Sequence, residues 1–292
     1  MDLQDSTIVI TGAGSGIGAA LAGAFVAAGA AHLVLCDIAE EGLDRVAAQL
    51  SDGPAVTTPT VITPAVTTPA ATTPTVTTHV LDVRDDAAVR AAVESTVAER
   101  GWIDLYCSNA GVATGAGIDA TDSVWQRTWD VNVMGSVNAA RALLEMTAQR
   151  HDASQRTRLM ITASAAGLLT NLGDAPYSVT KAAAVSLAEW LSITHDSDGL
   201  DVSCLCPQGV RTPMVTGGID HGDLGAEVVE AMGLIEPEAC AAAALAGLIA
   251  DEFLILPHPE VAEFRRRKVS DTPRWLAGMR RLEQSLRGRP TS

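Results

Sequence analysis

Short runs of apolar residues alternate along the chain with longer stretches in which apolar positions recur at helical spacing. The short runs are apolar at nearly every position rather than at alternate ones. That pattern predicts strands buried on both faces, as in a parallel sheet covered by helices. Strands are expected at Thr7–Thr11, His32–Asp37, His79–Val83, Asp104–Ser108, Arg158–Ala163, Asp201–Cys206 and Phe253–Leu256. Helices are expected near Gly16–Ala28, Ala39–Leu50, Asp85–Arg100, Ser123–Arg150, Pro176–His195 and Pro237–Ala250. Seven strands and six helices in regular alternation predict an α/β fold. The expected architecture is one Rossmann-type, doubly wound parallel sheet with helices on both faces, a single domain over 1–292.

One segment breaks this rhythm. Residues 56–78 repeat a five-residue Thr/Pro unit, with Pro59, Pro64, Pro69 and Pro74 in register. Each proline removes a backbone donor and restrains the residue before it, so neither a helix nor a central strand is expected. The segment reads as an extended surface insertion between the second helix and the third strand, with no part in chemistry.

Composition narrows the class. The chain is 47% hydrophobic, which suits a globular protein, and its net charge of −15 argues against nucleic acid or membrane as a partner. A basic extension at 258–292, with Arg265, Arg266, Arg267, Lys268, Arg274, Arg280, Arg281, Arg287 and Arg289, stands against that acidity. It is expected to dock on an acidic neighbouring subunit or to be solvated. Cys36, Cys107, Cys204, Cys206 and Cys240 are read as buried core thiols, with no metal site or disulfide framework. The N-terminus lacks a signal pattern, and the apolar run Ala239–Ala250 is too short to span a bilayer. A cytoplasmic location is expected.

Chemistry enters at two places. The first strand runs into Thr11-Gly12-Ala13-Gly14-Ser15-Gly16-Ile17-Gly18 and then a helix, a context in which glycines let backbone approach a pyrophosphate at a helix N-terminus. Asp37 ends the second strand, where a carboxylate accepts from both ribose hydroxyls and repels a 2′-phosphate, and no basic residue follows it in sequence. NAD is therefore the expected cofactor. Farther on, Tyr177 and Lys181 share a face of a predicted helix opened by Pro176, and Ser164 lies just past a buried strand upstream.

Taken in order, TGAGSGIG (Thr11–Gly18), Asp37, Asp82-Val83, Asn109-Ala110-Gly111, Asn132, Ser164, YSVTK (Tyr177–Lys181) and PQGVRTP (Pro207–Pro213) resemble the short-chain dehydrogenase/reductase superfamily in its compact single-domain branch. The resemblance implies roles for each. Gly12, Ser15, Gly16, Ile17 and Gly18 would cradle the cofactor phosphates, Asp82 and Val83 would contact adenine, and Asn109, Ala110 and Gly111 would line the groove. Val210 and Thr212 would support the nicotinamide carboxamide. Asn132 would hold a proton relay, Ser164 would bond the reacting oxygen, Tyr177 would exchange the proton and Lys181 would bind the nicotinamide ribose. A free tyrosine has a pKa of about 10, so the ammonium of Lys181 and the positive nicotinamide are expected to favour its phenolate. One departure stands out: Gln208 replaces the usual glycine after Pro207, with Gly209 one place later. Its amide either bonds a substrate oxygen or points to solvent.

The family's variable substrate lid falls on 214–235, which mixes Gly217, Gly218, Gly222 and Gly225 with Met214, Met232, Leu234 and Ile235, and also carries His221. With Ala165, Ala166, Leu168, Leu169 and Leu172 nearby in sequence, the expected substrate is a neutral, hydrophobic secondary alcohol or ketone. Two other readings stay open: a hydroxyacyl-thioester or steroid-like alcohol dehydrogenase, and a catalytically silent NAD-binding sensor or scaffold. Beyond the last strand, a helix carrying Trp275, Leu276, Met279 and Leu282 would cover a substrate mouth or simply pack. The resemblance also implies a homodimer or homotetramer.

Overall fold

The computed structural model describes residues 1–51, 74–152 and 154–287. Strand β1 (Thr7–Thr11) is buried at every position and leads into α1 (Gly16–Ala27). Then follow β2 (His32–Asp37), α2 (Glu40–Ser51), β3 (Thr75–Val80), α3 (Asp86–Arg100) and β4 (Leu105–Ser108). A long helical stretch comprises α4 (Asp122–Trp129), a π-helical turn at Asp130–Met134 and α5 (Gly135–Thr147). Next come β5 (Thr157–Thr162), α6 (Ala165–Leu169), α7 (Ala175–Thr194) and β6 (Leu200–Leu205). The remainder is α8 (Pro213–Asp220), α9 (Leu224–Met232), α10 (Pro237–Ile249), β7 (Leu254–Ile255), α11 (Glu260–Ser270) and α12 (Thr272–Arg287).

The seven strands form one sheet in the order β3-β2-β1-β4-β5-β6-β7, every pairing parallel. The strand order reverses between β1 and β4, and such a switch point opens a crevice at the carboxyl ends of the strands. Side chains alternate across the sheet with the period of a strand. Ile8, Ile10, Leu33, Leu35 and Met160 pack with Leu21, Phe25, Leu43, Ala244 and Leu248 of α1, α2 and α10. Val9, Val34, Tyr106, Leu159 and Ile161 pack on the other face with Val89, Val93, Leu143, Ala184 and Leu191 of α3, α5 and α7. All ten of the strand side chains named are at most 2% exposed, so each contributes about 2 kcal/mol of apolar burial.

Three expectations are corrected. The third strand lies at Thr75–Val80, not His79–Val83, so the end of the Thr/Pro segment pairs with β2 at the sheet edge, where a preceding proline does no harm. Residues 56–73 of that segment lie outside the described residues. The helix expected over Ser123–Arg150 is broken by the π turn and ends at Thr147. Among the described residues there are twelve α-helices rather than the six expected between the strands: the π turn divides α4 from α5, α6 follows β5, the expected lid folds as α8 and α9, and the basic extension as α11 and α12. The five cysteines are buried and unpaired by disulfide, with Cys204 and Cys206 on one face, their sulfurs 3.7 Å apart. Among the described residues no helix is long and apolar enough to cross a membrane, and no cluster could hold a metal ion.

Candidate active site

The loop after β1 is built to let backbone meet backbone. Gly12 has φ +66°, and a Cβ there would lie 2.9 Å from Ala110 Cα. A Cβ on Gly18 would lie 2.1 Å from the Gly12 carbonyl oxygen, so this glycine serves the packing of α1 and does not face the groove. Thr11 ties the two arms of the switch point together, its Oγ1 accepting from Asn109 N at 3.0 Å and Ala110 N at 3.2 Å. The first turn of α1 has no acidic residue and no side-chain cap, so its N–H donors are left for an anion.

A cavity of ≈ 320 Å³ runs over these residues. Its lining includes Gly12, Ser15, Gly16, Ile17, Asp37, Asp82, Val83, Asn109, Ala110, Gly111, Tyr177, Lys181, Val210 and Thr212, the groove expected from the sequence apart from Gly18. Asp37 closes one end, its Oδ2 accepting from Gly14 N at 2.9 Å and its Oδ1 from Ala39 N at 3.0 Å. The sequence showed no base beside Asp37, but folding supplies two nearby. Arg45 of α2 donates to the Gly14 carbonyl at 3.3 Å. Arg84 lines the groove and forks onto both oxygens of Asp82, holding that carboxyl below its usual range. The backbone-only cradle, the open helix N-terminus and the carboxylate at the end of β2 fit a dinucleotide.

A second cavity, ≈ 330 Å³ and walled mainly by apolar side chains, adjoins the first; Tyr177, Gln208, Met214 and Val215 line both. Ser164 caps α6, its Oγ accepting from Ala166 N at 3.1 Å, and faces the second cavity. Lys181, 4% exposed, donates to the Thr162 carbonyl at 2.8 Å and lies 5.6 Å from the Tyr177 ring centroid. Burial pushes its ammonium down to about 8. Burial likewise pushes the Tyr177 phenol above its ordinary value; a hydrogen bond with Ser164 opposes this and the Asp174 charge adds to it. The lowering expected for Tyr177 is thus absent in the chain by itself, since desolvation of the phenolate outweighs the rest.

Asn132 lines neither cavity. Carried by the π turn and 3% exposed, it is fully engaged, donating to Val112 O at 2.9 Å and Thr180 Oγ1 at 3.0 Å and accepting from Val112 N at 2.8 Å. It braces the loop after β4 against α7. Its Oδ1 and Lys181 Nζ flank Gly111, each 3.3 Å from where a Cβ would stand. Of the lid residues, His221 is exposed, bonds the Gly217 carbonyl and lines neither cavity. Leu168 also stays outside both, whereas Ala165, Ala166, Leu169 and Leu172 line the second.

Two residues that sequence reasoning passed over hold the site in shape. Asp174, 4% exposed, caps α7 by accepting from Tyr177 N at 2.9 Å. The same carboxylate accepts from Thr114 Oγ1, Thr114 N and Gly115 N at 2.7–2.8 Å, fastening the loop after β4 to the helix that carries Tyr177 and Lys181. An N-cap aspartate before Pro176 was a readable signal; its partners were not. His258, beyond β7, accepts from Gln208 N at 3.1 Å through Nδ1 and bonds the Gly209 carbonyl at 3.1 Å through Nε2. Burial lowers its pKa, so the ring is neutral and able to do both. The Gln208 amide contacts Met232 Sδ at 3.4 Å, and its Oε1 is buried without a hydrogen-bond partner.

Comparison with known proteins agrees with this arrangement. A family model described as short chain dehydrogenase matches residues 6–68 and 62–218. The meso-2,3-butanediol dehydrogenase of Serratia marcescens is 32% identical over 218 residues, 74% of this chain and 76% of that protein. The 1-deoxy-11-beta-hydroxypentalenate dehydrogenase of Streptomyces avermitilis is 33% identical over 220 residues, 74% of this chain and 73% of that protein. A solved short chain dehydrogenase/reductase from Burkholderia phymatum, in complex with NAD, shares the fold with a TM-score of 0.77. It is 24% identical and covers 100% of this chain and 98% of its own.

Proposed function

This chain belongs to the short chain dehydrogenase family, and we propose that within it the protein is an NAD(H)-dependent oxidoreductase interconverting a hydrophobic secondary alcohol and its ketone. The observation that carries this reading is the position of Tyr177, which lines both the groove fit for a dinucleotide and the apolar cavity beside it. A group that must pass a proton to a substrate held against a cofactor belongs at that junction.

The chain's own residues divide the work. Gly12, Ser15, Gly16 and Ile17 present backbone to the pyrophosphate, Asp37 accepts from the adenosine ribose, and Asp82 and Val83 flank the adenine. Asn109, Ala110, Gly111, Val210 and Thr212 form the rest of the groove, and Lys181 binds the nicotinamide ribose. The nicotinamide, when bound, supplies the two-electron step by taking or giving hydride at the substrate carbon. In ketone reduction Tyr177 donates its phenolic proton to the substrate oxygen while the Ser164 hydroxyl donates a hydrogen bond to the same atom. In oxidation the Tyr177 phenolate takes the proton back. Asn132 lies outside both cavities, and Asp174, which borders the apolar one, has both carboxylate oxygens engaged; together they hold the loop after β4 and the head of α7 in register. Asp37 is the reason for preferring NAD, since a carboxylate there repels a 2′-phosphate.

The test is NADH formation on a panel of secondary alcohols, with Tyr177→Phe as the control. That variant is expected to keep its affinity for NAD and to lose roughly 10²–10⁴ of its turnover, the usual worth of general acid–base catalysis. Near-normal turnover in Tyr177→Phe overturns the mechanism. Tight NAD binding with no turnover on any alcohol would favour a silent sensor.

A further inference from the structure

The apolar cavity has an outer wall that the strand–helix core does not supply. Its inner end holds Ser164 and Tyr177; its outer side is made by Phe264 of α11 and by Trp275, Met279 and Leu282 of α12. Positions 275, 279 and 282 are four and three apart, which places them on one face of their helix. Helix α11 is fastened to the core: Val261 is fully buried, and Lys268 donates to the Leu168 carbonyl at 2.7 Å at the end of α6. Helix α12 follows through Asp271, whose carboxylate accepts from Arg274 N at 3.0 Å, and through Trp275, whose ring centroid is 6.4 Å from that of Phe264. The cationic side chain on this rim, Arg267, is paired with Glu263 at 2.7 Å. The wall therefore offers a flat indole and an unbranched thioether, surfaces that accommodate rings, and its one arginine is held on the Glu263 carboxylate, which it shares with Arg266.

We propose that α12 is the outer wall of the substrate site and that the substrate is an uncharged ketone or secondary alcohol bearing a bulky apolar ring system, aryl or alicyclic, packed against Trp275 and Met279. The proposal rests on Tyr177 being the acid/base of the site. The reacting oxygen lies at Tyr177 and Ser164, and the ring system extends outward between Leu169 and Met232 to α12. A small alcohol reaches Tyr177 without touching α12, so only large substrates register a change there. Each methylene buried against such a wall favours binding roughly fourfold.

The experiment measures kcat/KM with NAD for isopropanol, methyl phenyl carbinol and methyl naphthyl carbinol, in the full chain and in Trp275→Ala, Met279→Ala and the double variant. The unsubstituted chain is expected to favour the ring-bearing alcohols over isopropanol by at least roughly tenfold, within what an apolar pocket discriminates. The double variant should lose roughly tenfold or more on the naphthyl substrate while isopropanol turnover and the Kd for NAD stay within about twofold, since Trp275 and Met279 line the outer cavity and not the cofactor groove. Equal losses on all three alcohols, or an unchanged ratio of large to small, overturns the inference while leaving the dehydrogenase reading in place. Absence of turnover on every alcohol by the unsubstituted chain overturns that reading, and this one with it.

Discussion

Lys181 carries an ammonium into a nearly closed environment, with the Thr162 carbonyl as its hydrogen-bond acceptor. Its folded value of about 8 lies below the ordinary 10.5, so the folded chain gives up this proton first as pH rises. Below about pH 8 both states hold the proton and the cost of burying the charge is fully present. Between about 8 and 10.5 only the unfolded chain holds it, and stability rises with pH, by ~3 kcal/mol in all. Lys181→Met is expected to remove that rise and, at neutral pH, to be at least as stable as the parent while losing turnover. Urea unfolding of the two chains across this pH range checks it; parallel profiles would refute the buried-charge account. At the other end of the groove, Asp37→Ala is expected to cut kcat/KM for NAD roughly tenfold to a hundredfold, the worth of one or two charged hydrogen bonds, with little change for NADP. An unchanged ratio between the cofactors would show that Arg45 and Arg84, not Asp37, set the choice.

At the scale of elements, the site depends on how the loop after β4 meets the head of α7. Asp174 is bound to both, through Thr114 and Gly115 on one side and Tyr177 N on the other. Asp174→Ala removes a helix cap and leaves loop donors unpaired, for an expected loss of about 1–3 kcal/mol of stability together with reduced turnover. Asp174→Asn keeps one oxygen for the cap and should recover part of both. Thermal unfolding and kcat for the pair of variants decide this, and an alanine variant with parental Tm and kcat would dismiss the clamp. The π turn belongs to the same scale. It inserts an extra residue into an otherwise continuous helix and so turns Asn132 inward to Val112 and Thr180. Apolar spacing across 122–147 reads as one helix, because one inserted residue barely disturbs a pattern averaged over several turns.

For the whole molecule, α7 presents a second feature besides the site. Val179, Trp190 and Ile193 are 49%, 56% and 81% exposed and fall on one helical stripe, away from the buried Ala184, Ala188 and Leu191. We propose that this stripe is the face through which the expected homodimer or homotetramer would form. Ile193→Asp is expected to yield a smaller species in analytical ultracentrifugation at micromolar concentration with NAD affinity unchanged; an unaltered sedimentation coefficient would move the interface elsewhere.

The order of strands and helices, the glycine loop, Asp37 and the Tyr177–Lys181 pair were legible in the amino-acid sequence. Each is a local matter: a buried strand must be apolar throughout, a backbone cradle must lack Cβ atoms, and two side chains four apart on a helix must share a face. Other features were settled only by folding. Thr75–Thr78 became an edge strand because β2 offered it a free ladder, despite the proline beside it. Asp174 found Thr114 sixty positions away, and His258 found Gln208 fifty away. Arg45 came to the cofactor loop from α2, and α12 came to the mouth of the apolar cavity from the end of the chain. These are contacts between segments with no sequential neighbourhood, fixed by which faces must be buried together. Sequence thus determined what chemistry the chain carries, and packing decided what encloses it.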